Sequence, residues 1–195
     1  MLSQQTKITK AIILSAGKGN RLGKITKKIP KPMIYINGAH ILEHNIKMCR
    51  EFGIEEIYIN THHLSNNIKN YFGDGSKFNI KIFYNHEEKI LGTAGAVNGF
   101  KDLIGSDPFF VVYGDNYYHN LNLNKIYKFH AEKKSIFTIL AHWKENCSES
   151  GRIVHDEKCI LVNIFEKENL VNPKSGYVNS GIYIINSIDI IKQYL

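Results

Sequence analysis

The feature that most constrains this chain is a regular alternation of short apolar runs with helix-patterned segments. Residues 11–15, 54–59, 80–84, 109–113 and 135–141 read as strands. Between them, residues 41–52, 64–72, 93–104 and 123–134 read as helices, the first closing at Gly53 and the second at Gly73-Asp74-Gly75. Phe109-Phe-Val-Val-Tyr113 holds five apolar residues in succession, which marks a strand buried on both faces. This order implies βαβ units: an α/β fold with a Rossmann-like, mixed but mostly parallel sheet and helices on both faces. Beyond residue 142 the pattern changes. Residues 153–154, 160–165 and 177–185 look like strands with no full helix between them, so a β-rich extension is expected there.

At 195 residues the chain fits one domain, 1–195, with its halves meeting near residue 142. Apolar residues make up 43% of it, which excludes a disordered composition. The formal net charge of +7 suggests anionic partners without separating nucleic acid from a phosphorylated small molecule. Cys49, Cys147 and Cys159 are too few and too scattered for a disulfide framework or a zinc knuckle. The first ten residues are polar, and the apolar run 11–14 is too short for a leader or a membrane span. A soluble cytoplasmic protein with no membrane partner is the expectation.

The turn after the first strand carries the chemistry. It reads Ser15-Ala-Gly-Lys-Gly-Asn-Arg-Leu-Gly-Lys and continues to Pro30-Lys31-Pro32-Met33 without a single acidic residue after Ser15. A P-loop requires four residues between its glycines and then Gly-Lys-Ser/Thr, which this turn lacks. A dinucleotide loop requires a third glycine where Leu22 stands, after Gly17 and Gly19. What remains is a glycine turn leading into Lys18, Arg21, Lys24, Lys27, Lys28 and Lys31. Glycine lets backbone N–H groups approach an anion, Arg21 can fork onto phosphate oxygens, and Lys31 can act as a point charge. A solvated basic loop is the competing reading. Asp115 follows the apolar strand and Gly114, at the carboxyl end where open α/β sheets bind ligands. His62-His63 is a poor metal pair, because neighbours on a strand point to opposite sides.

Leu14-Ser-Ala-Gly-Lys-Gly-Asn-Arg-Leu, Thr26 and Pro30-Lys-Pro-Met33 together resemble the signature of the sugar-1-phosphate nucleotidylyltransferases. Ile90-Leu-Gly-Thr-Ala-Gly-Ala96, Gly114-Asp115, Phe165-Glu-Lys167 and Asn179-Ser-Gly-Ile-Tyr183 are similar to later motifs of that family, in the same order. The chain looks most like the bacterial hexose- and heptose-1-phosphate guanylyltransferases. Lys24 and Ile90 replace prolines usual in the pattern.

The resemblance implies the nucleotide-diphospho-sugar transferase fold, with a nucleotide-binding half at about 10–142 and a sugar-binding part at about 143–195. It implies transfer of a nucleotidyl group from an NTP to a sugar 1-phosphate, releasing pyrophosphate, for cell-surface polysaccharide precursors. Leu14, Ala16, Gly17, Gly19, Asn20, Arg21, Lys31, Glu87, Gly92 and Thr93 would hold the nucleotide. Arg21, Lys31, Asp115 and Lys167 would carry catalysis, with Asp115 as ligand to Mg²⁺. Gly151, Glu166, Lys167 and Asn179 would take the sugar phosphate. Glu87, an acceptor-only group, would complement the N–H edge of guanine, so GTP is favoured. Cytidylyl or uridylyl transfer, or a weakly catalytic regulator that binds the same ligands, are the alternatives. The partners expected are NTP and sugar 1-phosphate, not nucleic acid; a homo-oligomer stays open. The family usually adds a second metal-holding Asp some tens of residues beyond the Asn-Ser-Gly strand. Asp189 stands too near to be that residue, so slow turnover is expected of these 195 residues.

Overall fold

The structure, a computed structural model, describes residues 7–147, 150–165 and 175–192. Strand β1 (Lys10–Leu14) leads into the glycine turn and a small hairpin of β2 (Tyr35–Ile36) and β3 (Ala39–His40). Next come α1 (Ile41–Phe52), β4 (Glu56–Thr61), α2 (Ser65–Phe72) and β5 (Lys81–His86). Helices α3 (Gly92–Asn98) and α4 (Lys101–Ile104) precede β6 (Phe109–Tyr113), which is followed by α5 (Leu123–Glu132) and β7 (Phe137–Lys144). The remaining elements are β8 (Arg152–His155), β9 (Leu161–Phe165), β10 (Gly176–Ile185) and α6 (Asp189–Lys192).

These elements divide into two compact units. The first holds the described residues up to Thr138 and from Ile184 on; the second is Ile139–Tyr183. In the first unit four strands run parallel in the order β5, β4, β1, β6. Right-handed crossovers, the rule for parallel strands, place helices on both faces of such a sheet, because the chain reverses direction across it after β5. Ring contacts agree. Phe110 of β6 meets Phe52 at the end of α1, centroids 4.9 Å apart. Tyr58 of β4 meets Phe100, between α3 and α4, at 5.6 Å. Both central strands are sealed: Ala11, Ile12 and Ile13 of β1 and Phe109 to Val112 of β6 are buried. In the second unit β8 lies antiparallel to both β9 and β10. The expected mostly parallel sheet with helices, followed by antiparallel strands, is the fold observed.

Local departures have local causes. The helix expected over 93–104 is two helices, because Phe100 leaves helical geometry at φ −110° and ψ 11°. The hairpin went unread, although Asn37-Gly38, at φ 47° and 86°, is the dipeptide that builds such two-residue turns. Cys49 is a buried member of α1, its thiol pushed up to about 12 by desolvation, which makes it inert.

Two expectations concern the sheet. Gly114 continues the β1–β6 ladder by donating its N–H to the Leu14 carbonyl at 2.8 Å. A Cβ there would stand 2.3 Å from Ser15 Oγ and 3.0 Å from the Leu14 carbonyl oxygen. Gly114→Ala should therefore destabilise the protein by about 1–3 kcal/mol, read as a fall in urea midpoint. His130 of α5 is buried, with Nδ1 against Thr138 Oγ1 of β7 and Nε2 against Asn186 Oδ1, each at 2.8 Å. Desolvation lowers its pKa below the ordinary 6.5, with the Asn186 contact opposing. The unfolded chain then binds a proton that the folded one refuses, so stability falls as pH drops below about 6.5. His130→Gln should flatten that acid limb in urea melts at pH 7 and pH 5.

Candidate functional site

Strand order reverses between β1 and β6, and at such a point the loops leaving the two carboxyl ends diverge and open a crevice. A cleft of about 230 Å³ lies there. Leu14 to Gly17, Asn60, Glu87, Gly92, Thr93, Tyr113 and Asp115 are among the residues that line it.

The glycine turn keeps its shape through Thr26. That buried residue donates its hydroxyl to the carbonyls of Gly19 at 3.0 Å and Gly23 at 3.3 Å. Gly19 is left-handed at φ 63°, and a Cβ on it would sit 2.8 Å from Thr26 Cγ2. The turn ends in a short 3-10 helix, Lys31–Met33, in which Pro32 and Met33 are buried. Lys18, Lys24, Lys27 and Lys28 lie toward solvent, as a solvated basic loop would have them. Lys31 instead turns inward. Its Nζ lies 2.7 Å from Asp115 Oδ2, both side chains partly covered.

Asp115 is positioned from behind. Asn45, buried in α1, donates to the carbonyls of Tyr113 at 3.3 Å and Asn116 at 3.1 Å and so clamps the turn that carries the carboxylate. Burial, with the Asp115 charge adding, pushes the Tyr118 hydroxyl up and keeps it protonated. Asp115 offers hard oxygen donors of the kind Mg²⁺ accepts. Among the described residues no group of three or more His, Cys, Asp or Glu side chains could enclose a metal. An ion held by Asp115 would therefore fill its shell with water and phosphate oxygens, the habit of Mg²⁺.

Beneath the cleft lies a buried polar chain. The Ser15 N–H donates to Asn60 Oδ1 at 2.7 Å, and Asn60 Nδ2 donates to Glu87 Oε1 at 2.8 Å. The Leu91 N–H donates to Glu87 Oε2 at 3.1 Å. Glu87 thus lines the cleft with each carboxylate oxygen already accepting from the protein, where the sequence suggested an open edge for a base. Ser15 Oγ is buried where the β6 exit passes at Gly114 and has no hydrogen-bond partner among the described residues.

The first unit thus brings together Leu14, Ala16, Gly17, Lys31, Glu87, Gly92, Thr93 and Asp115; Gly19 and Asn20 belong to the turn that follows Gly17. The side chain of Arg21, and Glu166 and Lys167 altogether, lie outside the described residues. Gly151 and Asn179 belong to the second unit, where Asn179 Oδ1 accepts the Gly181 N–H at 2.7 Å and its Nδ2 donates to the Tyr183 hydroxyl. Sequence reasoning overlooked Asn45 and Asn60. A polar residue at the carboxyl end of a buried parallel strand was the available signal for Asn60.

The model of the nucleotidyl transferase family matches residues 10–194, and the chain belongs to that family. The UTP–glucose-1-phosphate uridylyltransferase of Synechocystis sp. is 36% identical over 188 residues, covering 90% of this chain and 48% of that protein. The D-glycero-alpha-D-manno-heptose 1-phosphate guanylyltransferase of Campylobacter jejuni is 31% identical over 184 residues, covering 94% of this chain and 78% of that protein. HddC from Yersinia pseudotuberculosis, solved in complex with GMP-PN, superposes with a TM-score of 0.77 at 27% identity, over 96% of this chain and 80% of that one. The chain spans about half the length of the Synechocystis relative and less of some others.

The Lys31–Asp115 pair yields a test. Asp115→Asn removes a negative charge beside the cleft and frees Lys31 for an anion. In EDTA the variant should bind pyrophosphate about 3–10-fold more tightly than wild type, whereas Lys31→Ala should bind it at least tenfold more weakly. Isothermal calorimetry reads both. Unfolding stability should move by only about 1 kcal/mol in Asp115→Asn, since partly exposed pairs contribute little.

Proposed function

We propose that this cleft binds the nucleotide of an NTP and that the chain transfers its nucleotidyl group to a sugar 1-phosphate, releasing pyrophosphate. The observation that carries this reading is the inward Lys31 beside Asp115, at the strand reversal where the glycine turn opens. The sugar phosphate oxygen is already largely anionic near pH 7, because its second pKa is about 6, so attack on the α-phosphorus calls for no general base. Catalysis then consists of alignment and neutralisation of charge. Backbone N–H groups of the glycine turn and Lys31 hold the triphosphate, and Arg21 is assigned to the same phosphates. Asp115 holds Mg²⁺, which when bound neutralises charge shared among the phosphate oxygens. Gly151, Glu166, Lys167 and Asn179 are assigned to the sugar phosphate.

GTP is the favoured nucleotide, supported by the Campylobacter guanylyltransferase and by the Yersinia structure holding GMP-PN. Hexose or heptose 1-phosphate is the favoured acceptor, for the synthesis of cell-surface polysaccharide precursors. UTP is the second reading, supported by the Synechocystis uridylyltransferase. A pyrophosphate-release screen of GTP, UTP, CTP, ATP and dTTP against hexose and heptose 1-phosphates, with and without Mg²⁺, decides between them. Release with GTP at least tenfold faster than with any other NTP is expected. Faster release with UTP would reassign the base, and no release together with no NTP binding would overturn the function.

A further inference from the structure

We infer that Glu87 is a positioning residue that fixes the two walls of the nucleotide cleft, and that it does not read the base. The inference rests on the nucleotide reading proposed above. Four observations lead to it. Glu87 is 3% exposed, and so is Asn60. The Glu87 oxygens are divided between two partners from different segments, Asn60 Nδ2 on β4 and the Leu91 N–H at the entry to α3. Asn60 hands the connection on, since its Oδ1 accepts the Ser15 N–H at the mouth of the glycine turn. The main chain of Glu87 is held as well: its N–H donates to the Thr61 carbonyl at 2.8 Å, and its carbonyl accepts from His62 Nδ1 at 2.8 Å.

Ser15, Asn60, Glu87 and Leu91 therefore form one continuous relay from β1, through β4 and β5, to α3. The segments it joins carry Ala16 and Gly17 on one wall of the cleft and Gly92 and Thr93 on the other. Turning the carboxylate toward a base edge would strip the buried Asn60 amide and the part-buried Leu91 N–H of their acceptor, and an unsatisfied buried donor is costly. Glu87 thus sets the width of the slot for every nucleotide, and discrimination between bases belongs to other groups.

The polarity of the relay gives a decisive experiment. In Glu87→Gln the new amide must turn its NH₂ group toward either Asn60 Nδ2 or the Leu91 N–H, so two donors meet. In Asn60→Asp two carboxylates meet. In the double variant Asn60→Asp/Glu87→Gln every bond is satisfied again. The carboxylate introduced at position 60 accepts from the Ser15 N–H and from the amide introduced at position 87. The carbonyl of that amide accepts from the Leu91 N–H, and the total charge is unchanged. Dissociation constants for GTP, UTP, CTP and ATP, with melting temperatures, are measured for wild type, both single variants and the double.

Each single variant should weaken binding of all four nucleotides alike, by about tenfold or more, and should melt lower. The double variant should return to within about threefold of wild type, with the wild-type order of nucleotides and a recovered melting temperature. A double variant that melts like wild type yet binds weakly would overturn the inference, as would single variants that bind and melt like wild type. So would a double variant that regains affinity but with GTP displaced in the order, because Glu87 would then be reading the base. Wild-type protein that binds none of the four would instead overturn the nucleotide reading itself; the melting temperatures would still decide whether the relay couples the two residues.

Discussion

The structure depends first on β1 being paired on both sides by parallel strands. Its backbone N–H and C=O groups go to β4 on one edge and β6 on the other, and Ala11, Ile12 and Ile13 have no contact with water. A strand so placed can only end at a surface, and its carboxyl end opens where the crossovers diverge. The glycine turn is thus the exit that a fully paired strand must take, and the proposed binding of phosphate there would draw on the peptide groups that exit exposes. Gly114 makes the arrangement tight, letting the β6 exit lie against Leu14 and Ser15 without a side chain between them.

A second layer of organisation is polar and buried. Asn45 clamps the Asp115 turn, Thr26 clasps the glycine turn, and Asn60 with Glu87 ties β1, β4 and β5 to α3. All four are buried polar side chains, and each satisfies backbone groups or amides that lack partners where regular structure stops. Loops that must stay rigid without an apolar core of their own are held in this way. Hydrogen bonds in a low-dielectric setting give directional restraint that packing alone would not.

Much of this was legible in the order of residues. The run 109–113 fixed a central strand because no alternation interrupts it, and the observed strand has the same bounds. Helix 41–52 was readable from its apolar spacing and from Gly53, which caps it in the left-handed region at φ 106°. Asp115 was readable because it follows such a strand. The relay was not, since it joins residues 15, 60, 87 and 91, and no local pattern reports which buried donors will face which acceptors. Glu87 shows the limit clearly. Its motif placed it at the cleft, where it lies, but the direction in which its carboxylate points is settled by partners 27 residues away at Asn60 and four away at Leu91.

Charge explains why the turn is so basic when only one of its lysines faces the cleft in close contact with an acid. The solvent-facing Lys18, Lys24, Lys27 and Lys28 make no commitment to a fixed geometry, and their summed field draws polyanions toward the crevice, within a screening length of about 8 Å at physiological salt. Lys31 does something different. Paired with Asp115, it is held in place by a contact that costs little to open, because partly exposed pairs are worth about 0–1 kcal/mol. An isolated ammonium on a four-carbon stem would sample many rotamers, and an isolated carboxylate would repel an anion beside it. The pair removes both problems: the cation is aimed and the anion is masked.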